Sequence, residues 1–99
     1  MTANDIAAKF AEAHAWLPGK KIKFDFGDDG VVMLDGVNQT VTQDNAPADT
    51  TIKIALSDLD DMRHGKLDAM TAFMQGKIKI EGDMSNAMQL QGVLSRLGS

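Results

Sequence analysis

The chain has 99 residues, 43% of them apolar, and a formal net charge of −4. That is one domain's worth of chain with a globular composition, which excludes a second core, a disordered tract and a fibre. It has no cysteine, which excludes disulfide stapling, thiolate chemistry and cysteine-ligated metal sites, while its acidic balance speaks against nucleic acid as a partner.

Along the chain, Ile6, Phe10, Ala13 and Leu17 fall at helical spacing, which predicts a helix from about Asn4 to Trp16, stopped by Pro18-Gly19. From Lys21 to Phe26, apolar Ile22, Phe24 and Phe26 alternate with Lys21, Lys23 and Asp25, the period of a strand with one wet face. Gly27 to Gly30 reads as a turn into a second strand, Val31 to Asp35, and the more polar run Val37 to Thr42 as an edge strand. After a loop over Asn45 to Ala48, alternation returns from Thr51 to Leu56.

Ser57, with Asp60 three residues on, has the spacing of a capping box and predicts a short helix closed at Gly65. Asp68 predicts the cap of a second short helix, closed at Gly76. Lys77 to Glu81 reads as a strand with Ile78 and Ile80 inward and the lysines outward. Gly82 then turns the chain, and Asp83 caps a final helix running from Met84 toward Leu97. The sum is an α+β domain spanning residues 1–99, with about five mostly antiparallel strands and helices stacked on one sheet face.

Little in the chain is suited to catalysis. His14 lies on the first helix and His64 at the end of another, where the helix C-terminal dipole accounts for it. Neither is expected to hold a metal or act as a general base. Serines 57, 85 and 95 lack the setting of a nucleophile elbow. Asp58, Asp60 and Asp61 fit the acidic first turn of a helix better than a calcium loop. No catalytic residue, metal or cofactor is expected.

Methionine is the unusual component. Five of the seven, Met62, Met70, Met74, Met84 and Met88, fall in one stretch. On the last helix Met84, Ala87, Met88, Gln91 and Leu94 form one stripe with Leu90, Val93 and Leu97 beside it, wider than a core-facing stripe needs. Methionine is flexible and fills irregular space, so such a stripe suits either a core or a ligand cavity. Spacing alone does not choose between them.

The segment Phe73-Met74-Gln75-Gly76-Lys77-Ile78-Lys79-Ile80-Glu81-Gly82-Asp83-Met84, followed by Ala87-Met88 and Leu90, resembles the signature of the sterol carrier protein 2 family. The likeness extends from about Asp49 to Leu94, and the N-terminal half matches by pattern only. It implies a five-stranded, largely antiparallel sheet covered by helices around a hydrophobic cavity, without catalytic residues. It also implies carriage or presentation of fatty acids, fatty acyl-CoA or sterols. By the resemblance Phe73 and Gln75 lie at the cavity, Gln75 hydrogen-bonding a ligand's polar end, and Met84, Met88 and Gln91 line it. Met70 and Met74 join them by adjacency. Met74 stands where the family commonly has a second aromatic.

Lacking an apolar run of roughly 18 residues and, in its last residues, a peroxisomal or lipid-anchor signal, the chain reads as a free-standing cytoplasmic protein with no integral membrane segment. Its expected partners are a lipid or acyl-CoA ligand, with transient membrane or partner-protein contact. The rival reading is a protein–protein interaction module whose cavity is vestigial.

Overall fold

The computed structural model describes residues 2–89. Helix α1 (Ala3–Glu12) precedes strands β1 (Lys21–Asp25), β2 (Val31–Asp35), β3 (Thr40–Thr42) and β4 (Thr50–Ile54). Helices α2 (Leu56–Arg63) and α3 (Ala69–Met74), strand β5 (Ile78–Gly82) and helix α4 (84–89) complete the described chain. The five strands form one sheet in the order β3-β2-β1-β4-β5. Three neighbouring pairs are antiparallel, and the central pair, β1 with β4, is parallel.

The alternation in the strands sets the layering. Ile22, Phe24, Val32, Leu34, Ile52, Ile54 and Ile78 are buried in one core with Ile6 and Phe10 of α1 and Leu56 and Leu59 of α2. Phe10 stacks on Phe24 with ring centroids 5.3 Å apart, and Phe24 on Phe26 at 6.1 Å. On the opposite face Lys23, Asp25, Lys53 and Lys79 carry charge, while Met33 of β2 is apolar and buried. There Lys23 Nζ donates to Asn45 Oδ1 and to the Ala46 carbonyl, both at 3.0 Å, tying down the loop before β4.

Helix boundaries follow their caps. Thr2 and Asp5 form a reciprocal capping box at the start of α1. The helix ends at Glu12, earlier than the apolar spacing predicts. His14 takes a left-handed φ of 50°, its N–H reaches the Ala11 carbonyl, and the Ala15 N–H reaches that of Phe10. This is a Schellman closure, and it carries Ala15 and Leu17 into the core outside any helix. The same closure ends α2 at Gly65 and α3 at Gly76.

Two further boundaries differ from expectation. Ser57 does not cap α2: the helix begins at Leu56 after an extended Ala55 that offers no side-chain cap. Burial of Leu56 draws the helix start one turn position earlier than the hydroxyl. The run from Val37 is strand only over Thr40–Thr42, although at the sheet edge as predicted. Asp35 Oδ1 accepts the N–H groups of Val37 at 2.9 Å and Asn38 at 3.0 Å, and its Oδ2 accepts the Asn38 amide at 2.8 Å. A buried carboxylate thus folds residues 36–39 into a turn.

Two glycines are required by close approach. A Cβ at Gly36 would collide with the Leu17 carbonyl, and one at Gly82, where φ is 95°, with that of Asp49. Gly82 brings the chain close to β4, where Thr50 receives it. The buried Thr50 hydroxyl donates to the Asp83 carbonyl at 2.8 Å and accepts from the buried Asn86 amide at 3.2 Å. Asp83 Oδ1 caps α4 through the Ser85 N–H at 2.9 Å and hydroxyl at 2.7 Å.

The hydroxyl of Thr50 therefore fixes where α4 leaves the sheet. Thr50→Val keeps the shape but strips Asn86 of that acceptor, and a loss of about 1–3 kcal/mol in denaturant-measured stability is expected. Hydrogen bonds from the Asn38 backbone, the Asn38 side chain and the Val37 backbone hold the Asp35 carboxyl below the usual carboxylate range, against the opposing effect of burial. A depressed folded pKa adds stability above the unfolded value of about 3.9 that is lost as pH falls through the folded one. Thermal melts should show an acid limb below about pH 4, and Asp35→Asn should make that limb shallower.

Candidate functional site: an apolar cavity under three helices

On the β4–β5 half of the sheet the apolar face is not fully filled. Ile52 pairs with Ile80 and Ile54 with Ile78 across the two strands, and Phe24 of β1 lies beside Ile52. These five side chains make the floor of a cavity of about 270 Å³. Leu59 and Met62 of α2 and Met70 and Phe73 of α3 stand over it, each pair at i,i+3 spacing. Met84, Ala87 and Met88 of α4 close another side at i, i+3 and i+4.

The described lining is apolar throughout. Its volume lies just under the roughly 300–1,000 Å³ of ordinary ligand pockets. Four of the lining residues are also widely exposed: Met70 at 58%, Phe73 at 43%, Met84 at 46% and Met88 at 69%. The cavity therefore reaches the surface between α3 and α4 among the described residues, and its outer wall consists mostly of side chains with three rotatable bonds. With no fixed charge on the lining, ligand contacts there are limited to burial and dispersion.

Of the seven residues that the sequence nominates, Phe73, Met70, Met84 and Met88 converge on the cavity. Met74 and Gln75 are exposed and not part of the described lining. The reason is helical geometry: residues two apart point about 200° away from each other. Ala72 is fully buried, which turns Met74 outward, and Phe73 faces the cavity, which turns Gln75 away from it. Gln91 lies outside the described residues, as does the predicted remainder of the last helix. The sequence places the isoleucine floor and Phe24 on the inward faces of their strands without nominating them for the site, and their strict alternation is the signal that marks them.

The histidines lie elsewhere. His14 stacks on Trp16 at 5.2 Å, and His64 Nδ1 is 2.9 Å from the Asp60 carbonyl oxygen. Neither lines the cavity, and nor does Trp16. No described helix is long and apolar enough to cross a membrane.

Comparison with known proteins agrees with this geometry. Sterol carrier protein 2 of Bos taurus is 42% identical over 63 residues, which are 64% of this chain and 12% of that protein. The chain thus spans only a small part of that relative's length. Among solved structures, sterol carrier protein 2 from Yarrowia lipolytica in its apo form superimposes with a TM-score of 0.67 at 25% identity, covering 98% of this chain and 82% of that one. Sterol carrier protein-2 of Aedes aegypti in complex with palmitate gives 0.77 over 96% of both chains, and at 17% identity it speaks to the fold alone. The family model for the SCP-2 sterol transfer family matches residues 5–95, and the chain belongs to that family.

Proposed function

We propose that residues 1–99 act as one lipid-binding domain, which shields the apolar part of a fatty acid, fatty acyl-CoA or sterol and carries or presents it without chemistry. The observation that carries this reading is a cavity with an entirely apolar described lining and four exposed large side chains at its outer wall. The family's description as a sterol transfer family and the palmitate held by the Aedes aegypti protein support it. A reaction would need a polar group at the guest. The two histidines, engaged with Trp16 and with the Asp60 carbonyl, are not placed to supply one.

Burial is the mechanism. Each methylene taken from water contributes roughly 0.8 kcal/mol, so a long acyl chain gains on the order of 10 kcal/mol gross. Immobilising chain and protein subtracts several kcal/mol, which leaves about micromolar affinity. Phe73 and Met70 of α3 and Met84 and Met88 of α4 are the proposed contacts. Their freedom to repack lets one cavity accept guests of different girth. Gln75, on the far side of α3 from Phe73, is not assigned to the head group.

The test is displacement of a fluorescent fatty acid by a fatty acid, an acyl-CoA and a sterol in turn. Displacement by at least one class is expected, and Met88→Asp, at an exposed position, should weaken it about tenfold or more by placing a charge against the guest. Failure of the reporter and all three ligands to bind folded protein would end the carrier reading and favour the interaction module. Trp16 fluorescence is a poor substitute, because Trp16 is not a wall of the cavity.

A further inference from the structure

Beyond the cavity, a second hollow of about 450 Å³ opens where β1 and β4 end and β5 begins. Lys53, Lys77 and Lys79 line it, with Asp25 as its single carboxylate. The register explains the crowding. Lys53 of β4 is directly opposite Lys79 of β5, and Asp25 of β1 is beside Lys53 on the other flank. Like charges facing each other across a ladder destabilise a sheet. Glu81 relieves Lys53 through an ion pair of 2.8 Å. Among the described residues Lys77 and Lys79 take part in no ion pair.

We propose that this hollow binds a phosphate group through the ammonium groups of Lys53, Lys77 and Lys79. Glu81 and Asp25 offset part of this charge around Lys53, but Lys77 and Lys79 take part in no ion pair among the described residues, and two neighbouring unpaired ammonium groups suit a doubly charged phosphate better than a single carboxylate. The nearby backbone does not compete for the role. The N–H groups of Gly76 and Lys77 are already given to the Phe73 and Ala72 carbonyls in the closure of α3, so the side chains must do the binding.

Ile54 borders both the hollow and the apolar cavity. A guest whose tail lies in the cavity finds no polar partner on its described lining, and a head group emerging at this end of the sheet meets the lysines. The phosphate is therefore either the head of the cavity's own guest or a free phosphate compound. The first source rests on the lipid-binding reading above, and the second does not.

The experiment uses three probes on isotopically labelled protein: pyrophosphate, hexadecanol and hexadecyl phosphate. Saturable amide shifts at Gly27, Gly76 and Lys77 with pyrophosphate, abolished in the exposed-site variant K77Q/K79Q, would support the hollow and show that a free phosphate suffices. If those shifts come only with hexadecyl phosphate, and it binds about tenfold tighter than hexadecanol in the native chain but equally in the variant, the head-group source is supported. Equal binding of hexadecanol and hexadecyl phosphate with no shift from pyrophosphate would overturn the hollow and leave the lipid reading intact. Pyrophosphate shifts with neither long-chain probe bound would do the reverse, and silence from all three would overturn both.

Discussion

Phe24 is the residue on which the two halves of this domain meet. It sits on β1, in the middle of the five-strand order, and stacks on Phe10 of α1 and on Phe26 while also forming part of the cavity floor. On the α1 side the apolar face of the sheet is sealed by aromatic packing. On the β4–β5 side it is covered by α2 and α3, of eight and six residues, and by the start of α4. Helices that short bring few inward side chains, and three of the buried or bordering positions they do supply are Ala72, Ala87 and Met62. The cavity is the volume they leave unfilled. A well-packed neighbouring half is what lets the domain keep such a defect, because an apolar void weakens a core roughly in proportion to its size.

Much of this was legible in the residues themselves. Alternation from Lys21 to Phe26, Thr51 to Leu56 and Lys77 to Glu81 assigned strands and their inward faces, and the likeness between residues 73–84 and a known signature pointed to the family. Period-2 patterning reports which face a side chain takes. It is silent on which strands neighbour which, so the parallel pairing of β1 with β4 was not legible. The overlong first helix has a similar cause. Ala13 and Leu17 satisfied the helical period, yet His14 in a left-handed conformation closes the helix and buries Leu17 by another route. Ser57 lost to Leu56 because burying a leucine outweighs a surface cap.

Within the site, Gln75 and Met74 are exposed and stand outside the described lining. Once Phe73 is taken as facing inward, the helical rotation of about 100° per residue already directs Gln75 away. The family resemblance implies Gln75 at the cavity and adjacency implies Met74, but side chains share a helix face at i,i+3 and i,i+4 and not at i,i+1 or i,i+2. Met70 was nominated on adjacency too and is part of the lining, because it stands three residues from Phe73.

The alternation of β5 has a consequence for both faces of the sheet. Ile78 and Ile80 are floor tiles of the cavity, and Lys79 between them, with Lys77 just before the strand, lines the hollow on the other face. A single strand thus gives an apolar wall to one compartment and cationic groups to a second, without any charge being brought into the core. Placing a lysine among the cavity residues would require desolvating it, which costs several kcal/mol unless a partner is buried with it. Keeping the cations across the backbone from the apolar wall avoids that penalty. With the proposed phosphate binding it would also order recognition along an amphipathic guest: dispersion and burial act on the tail, and charge acts only on the part of the molecule that reaches past Ile54 at the end of the sheet.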